Sequence, residues 1–138
     1  MSNQKTIKKS IEFDGVGLHS GKSSRIKILP AEVDHGIKFS RTDMEDSSLL
    51  DARFGNLIDS NRGTSIGNSE FKVCTIEHLL SSIYALGIDN LLIEINGEEV
   101  PIIDGSALPF YKGLKQSGII NQEEKKKCIS RDSFMKIG

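Results

Sequence analysis

The sequence predicts an α+β fold, a two-layer sandwich in which an antiparallel sheet carries two helices on one face. Three observations carry that expectation. Short runs of alternating apolar residues fill the first half of the chain, and two stretches at helical spacing follow, at residues 75–86 and 106–117. An apolar, β-branched run at 89–95 then lies between those helices. Strands, helix, strands, helix is the order of an α+β unit rather than of repeated βαβ crossovers.

Ile7, Ile11 and Phe13 alternate with polar residues up to Asp14, as in a half-buried strand. Gly15, Gly17 and Gly21 punctuate a loop, and Arg25-Ile26-Lys27-Ile28-Leu29 resumes the alternation before Pro30. Residues 36–41 predict another short strand, and residues 42–50 are acidic and irregular. Strand texture returns over 52–58. It also flanks Gly67-Asn68, read as a hairpin tip between Thr64-Ser65-Ile66 and Phe71-Lys72-Val73.

Thr75 is placed to cap a helix in which Ile76, Leu79, Leu80, Ile83 and Leu86 form an apolar stripe, with Gly87 as the stop. At about 100° per residue, Glu77, His78, Ser81, Ser82 and Ala85 share the opposite side. That side is too small for a primary core and too sparsely charged for an ordinary solvated face. Asp89 to Ile95 then reads as a strand, and Asn96-Gly97 as a type I′ turn into Glu99-Val100-Pro101-Ile102-Ile103. Asp104-Gly105-Ser106 leads into the second helix, with Ser106 as cap and Pro109 in the first turn. Phe110, Tyr111 and Leu114 point toward the core, and Gly118 ends the helix.

The totals exclude several function classes. A chain of 138 residues holds one domain with a real core, and 37% apolar and 27% charged residues are those of a soluble protein. The net charge of −1 gives no basic field for nucleic acid. Cys74 and Cys128 make neither a disulfide framework nor a CxxC knuckle, and no run reaches membrane-spanning length. The expectation is a reduced, cytoplasmic domain with no transmembrane segment. Residues 1–121 form that domain. Residues 122–138 read as a charged linker, Glu123-Glu124-Lys125-Lys126-Lys127, and the truncated opening of a second one.

Individual motifs leave two readings each. The loop Gly15-Val16-Gly17-Leu18-His19-Ser20-Gly21-Lys22-Ser23 lacks P-loop spacing and the third glycine of a dinucleotide fingerprint, and it leads into a strand; tight bending is its default role. Glu77 and His78 fit a general base beside a metal ligand, since zinc lowers the pKa of its bound water toward ~7 and a nearby carboxylate can take the proton. They equally fit an exposed helix-start pair, with Glu77 favoured by the helix dipole. A catalytic zinc wants three protein ligands, His-Glu-x-x-His is absent, and spacing does not group His19 or His35 with His78. Asp104 reads as the acceptor that closes an Asp-Gly-Ser turn, and Cys74 as a small buried residue.

The segments together resemble the N-terminal domain of the UDP-3-O-acyl-N-acetylglucosamine deacetylases, the zinc enzymes that commit bacteria to lipid A synthesis. The resemblance rests on residues 15–22, Arg41-Thr42-Asp43, Thr75-Ile76-Glu77-His78-Leu79, Leu86-Gly87-Ile88-Asp89-Asn90 and residues 99–107, five motifs in order over most of residues 7–120. It implies two similar α+β domains, packed helix layer to helix layer around a Zn2+ ion. His78 would be a metal ligand and Glu77 the catalytic general base, acting on a UDP-3-O-acyl-N-acetylglucosamine. A His and an Asp completing the zinc site, a general-acid His and the fatty-acyl passage would belong to the missing second deacetylase domain. The segment Asp59–Ser65 corresponds to a family loop near the active site and departs from the pattern in Asn61-Arg62-Gly63. The competing expectation is an inactive interaction module, or relic, that uses the Ser81, Ser82 and Ala85 face.

Overall fold

The computed structural model describes residues 3–44, 49–52, 57–60, 63–67 and 72–126, with the backbone alone at 57–60, 63–67 and 72. Ten strands and two helices are described: β1 (Asn3–Ile7), β2 (Ile11–Val16), β3 (Ser23–Pro30), β4 (Ile37–Arg41), β5 (Leu50–Asp51), β6 (Leu57–Ser60), β7 (Gly63–Gly67), β8 (Lys72–Cys74), α1 (Glu77–Ala85), β9 (Leu91–Ile95), α2 (Leu108–Gln116) and β10 (Ile119–Lys125). The main sheet has the order β2-β3-β9-β4-β5. Its alternation is the one read from sequence. Ile26, Ile28, Ile37, Phe39, Leu91, Ile93 and Ile95 are buried on one face, while Lys27 stands opposite Glu94 on the other. Each such buried side chain contributes about 1.5–3 kcal/mol relative to exposure.

The class is the expected α+β sandwich, with one difference inside the sheet. The β4–β9 pair is parallel, Ile37 to Arg41 running alongside Leu91 to Ile95. Residues 42–90 form the long crossover that parallel neighbours require. Within that crossover β6, β7 and β8 make a separate antiparallel sheet. The β7–β8 register, Gly67 opposite Lys72 and Ile66 opposite Val73, suits the expected hairpin. Its tip at Asn68 lies outside the described residues, as do Arg53–Asn56 and Cys128.

The Asn96-Gly97 hairpin does not form. Asn96 instead extends the β3 edge: its N–H donates to the Arg25 carbonyl at 3.3 Å, and its Oδ1 accepts from the Arg25 N–H at 2.9 Å. The following residues leave β9 and pair with other segments, through bridges Cys74↔Glu99 (parallel) and Gly17↔Pro101 (antiparallel). That departure brings Glu99 to the start of α1.

Nor do residues 122–125 form a linker. They are the second half of β10, which pairs antiparallel with β1 from Ile7↔Ile119 to Asn3↔Lys125. A buried polar knot ties this small sheet to the main one. Asn90, 1% exposed, donates to Gln4 at 2.9 Å and Gln122 at 2.7 Å. Its Oδ1 accepts from the Gly36 N–H at 2.8 Å, and its carbonyl from Thr6 Oγ1 at 2.6 Å.

The helices cover the buried face. α1 contributes Leu79, Leu80 and Ile83 to the core, joined by Ile76 just before it, and α2 contributes Phe110 and Leu114. Tyr111 is only half-buried, with the Lys115 ammonium 6.0 Å above its ring. Phe110 meets Phe13 edge to face at 5.0 Å. α2 lies so near β2 that a Cβ on Gly113 would stand 2.6 Å from the Phe13 ring and 2.7 Å from Ile11.

Candidate active site

α1 ends as its sequence foretold. Gly87 takes φ +70°, its N–H donates to the Tyr84 carbonyl at 3.0 Å, and the Ile88 N–H donates to Ile83 at 3.2 Å. Those two bonds make a Schellman motif. The start differs. Thr75 is not the cap: the cap position is Ile76, with no side-chain bond, and Thr75 sits at φ +62°. A β-branched residue there costs on the order of 1–3 kcal/mol and persists only where its surroundings hold it.

Glu99 does the holding. Its carboxylate accepts the Thr75 hydroxyl at 2.7 Å, the His19 N–H at 3.2 and 3.0 Å and the Ser20 N–H at 2.9 Å. It is 5% exposed. Burial pushes the Glu99 carboxyl up, but the bonds from Ser20, His19 and Thr75 outweigh it and hold the group below the ordinary carboxylate range. Gly17 has to be glycine here, since a Cβ would fall 2.2 Å from Glu99 Oε1.

Glu77 and His78 form the first turn of α1 and are both half-buried. Glu77 Oε1 is buried and has no hydrogen-bond partner among the described residues. Buried carboxylate oxygens are ordinarily paired, with protein groups or with water, which sets this atom apart. The His78 carbonyl accepts from Ser81 Oγ and Ser82 Oγ, each at 3.0 Å. Ser82 also stands 2.9 Å from the Ala107 carbonyl, so α1 is fastened to the Asp104–Ala107 turn. Ser82 is 2% exposed, which removes it from the expected partner-binding face and leaves Ser81 and Ala85 exposed there.

Asp104 closes its turn as expected, accepting from the Ser106 N–H at 2.9 Å and the Ser106 hydroxyl at 2.8 Å. Those bonds hold the carboxyl below its ordinary range. The α2 cap position is Ala107 rather than Ser106; Ser106 Oγ, committed to Asp104, accepts only a long 3.3 Å bond from the Leu108 N–H. Ile103, before Asp104, is a second β-branched residue at positive φ, +55°. Two strained positions thus precede α1 and the Asp104 turn.

His35 is elsewhere, its Nδ1 2.9 Å from the Gly36 carbonyl. Arg41 and Asp43 form a two-pronged ion pair, 2.8 and 2.6 Å. Cys74 is fully buried. Among the described residues no three His, Cys, Asp or Glu gather in a metal-binding group. The first turn of α1 thus carries an imidazole and, on the preceding residue, a carboxylate with one oxygen unpartnered among the described residues.

The family model for LpxC, UDP-3-O-acyl N-acetylglycosamine deacetylase, matches residues 4–137. The chain belongs to this deacetylase family. Three relatives named UDP-3-O-acyl-N-acetylglucosamine deacetylase show the degree of likeness. The one from Thioalkalivibrio sulfidiphilus is 45% identical over 129 residues, covering 94% of this chain and 42% of that protein. The Helicobacter hepaticus relative is 46% identical over 126 residues, 91% of this chain and 42% of its own length. The Brucella melitensis relative is 40% identical over 126 residues, 91% and 44%. The chain thus spans well under half the length of the deacetylases it matches.

Glu99 escaped the sequence reading because it was assigned to a hairpin strand. The signal was there: an acid heading the apolar run Val100-Pro101-Ile102-Ile103 has to bury its charge or find donors.

Proposed function

We propose that this chain is the first domain of a zinc-dependent amide hydrolase that removes acetate from a UDP-3-O-acyl-N-acetylglucosamine in lipid A biosynthesis. His78 is one metal ligand and Glu77 the general base. The observation that carries the reading is the buried Glu77 Oε1, unpartnered among the described residues, on the residue next to His78 in the first turn of α1. Family membership and the printed names of the relatives supply the reaction and substrate.

Zinc, when bound, would polarise the acetamide carbonyl and acidify the attacking water. Glu77 Oε1 would take a proton from the attacking water as its oxygen bonds to the acetyl carbon; the amide C–N bond would then break, the nitrogen taking up a proton, so that acetate leaves and the sugar keeps a free amine. Ser82 ties α1 to the Ala107 carbonyl, and Glu99 holds Thr75 ahead of the helix. A second deacetylase domain beyond β10 completes the ligand set and provides the acyl passage. The setting is cytoplasmic; among the described residues no helix is long and apolar enough to cross a membrane.

The test uses this chain joined to the second domain of a relative. Glu77→Gln is expected to slow acetate release by about 10²–10⁴-fold with zinc content intact, whereas His78→Ala loses the metal. Unchanged turnover in Glu77→Gln would overturn the assignment.

A further inference from the structure

We propose that Glu99 is a positioning residue whose buried carboxylate clamps the glycine loop to the residue before α1, and so sets the direction in which Glu77 and His78 are presented. The proposal rests on the functional reading above only for its consequence in catalysis; the clamp itself is a separate claim.

The geometry is that of a two-sided clamp. One side is the loop, whose His19 and Ser20 N–H groups both point at the carboxylate. The other is the Thr75 hydroxyl, from a residue held at φ +62° two positions before Glu77. Backbone contacts fix the carboxylate between them: the Cys74 N–H donates to Glu98 at 2.7 Å, the Val100 N–H to Cys74 at 3.1 Å, and Ser24 Oγ to the Glu99 carbonyl at 2.6 Å. Gly17 lets the loop approach, with no room for a Cβ.

A carboxylate buried to 5% exposure is an expensive way to join two segments. Apolar side chains of similar volume would glue them as firmly. An ionised carboxylate only accepts hydrogen bonds, so it dictates which atoms of both segments turn toward it. Orientation is what it adds. The left-handed Thr75 then redirects the chain into the turn that carries Glu77 and His78.

The experiment perturbs one side and reads the other in the 138-residue chain, without metal. Thr75→Val removes the hydroxyl at nearly constant shape. Amide hydrogen exchange at His19 and Ser20, whose N–H groups bond the Glu99 carboxylate, is expected to quicken roughly tenfold, as when a bond to a charged group is loosened. Thr75→Ser restores the slow exchange. Conversely, Gly17→Ala displaces the carboxylate from the loop side, and the His78 ring nitrogens shift in the NMR spectrum while those of His35 stay in place. The clamp is overturned if Thr75→Val leaves His19 and Ser20 exchange within about twofold of the parent, or if a folded Gly17→Ala leaves His78 unmoved; should Gly17→Ala not fold, the Thr75 arm decides alone. Neither readout involves zinc or turnover, so the clamp and the catalytic assignment can fail separately.

Discussion

Thr75 and Glu99 show how one residue's conformation depends on another's charge. The threonine tolerates its left-handed backbone because its hydroxyl meets a carboxylate at 2.7 Å, and that carboxylate stays ionised because three donors face it. The linkage has a defined sign. The Glu99 carboxyl lies lower in the folded chain than in the unfolded one, so its contribution to stability is complete above the ordinary carboxylate range. It is lost as the pH falls through the depressed folded value. Thermal melts over an acid series are expected to fall more steeply for the parent than for Glu99→Gln within that window, and parallel curves would contradict it. Sequence alone could not show this, because Thr75 has the composition of an N-cap and nothing local records that its hydroxyl is already engaged.

At the scale of elements, periodicity foretold most of the fold. The buried alternation of β3 and β9, the α1 stripe and the Gly87 stop were all legible, since each follows from residues within one segment. What failed was pairing between segments. Asn96-Gly97 has ideal hairpin chemistry, yet Asn96 bonds to Arg25 and the chain crosses to Cys74. The charged run after Gln122 reads as linker until its pairing with β1 is seen. Close approach was also hidden: Gly113 sits mid-helix where it should weaken α2. Gly113→Ala sets a helix-propensity gain of about 1 kcal/mol against an overpacking cost of about 1–3 kcal/mol. With two contacts below 3 Å the overpacking wins. Chemical denaturation is expected to show a net loss on the order of 1 kcal/mol, and a stabilised variant would mean that α2 lifts freely from Phe13 and Ile11.

Across the whole molecule, the polar knot at Asn90 joins the first and last described strands to the main sheet. Asn90→Ala would take the partner from the Gly36 N–H and from Gln122 Oε1 and one of two donors from Gln4 Oε1, at an expected cost of ~2–4 kcal/mol in urea unfolding. The placing of α1 draws on the same long-range assembly, since Glu99 joins Thr75 to the His19–Ser20 loop and Ser82 meets the Ala107 carbonyl. Glu77 and His78 read from the sequence as a pair at a helix start, whereas the burial of Glu77 Oε1 without a partner among the described residues is a property of the fold. The most direct measurement uses the chain's three histidines as mutual controls. Zinc titrated into the 138-residue chain, followed through the histidine ring nitrogens, is expected to move His78 first and with weak affinity, and His78→Ala to abolish that response. A response confined to His19 or His35, with His78 silent, would contradict the account.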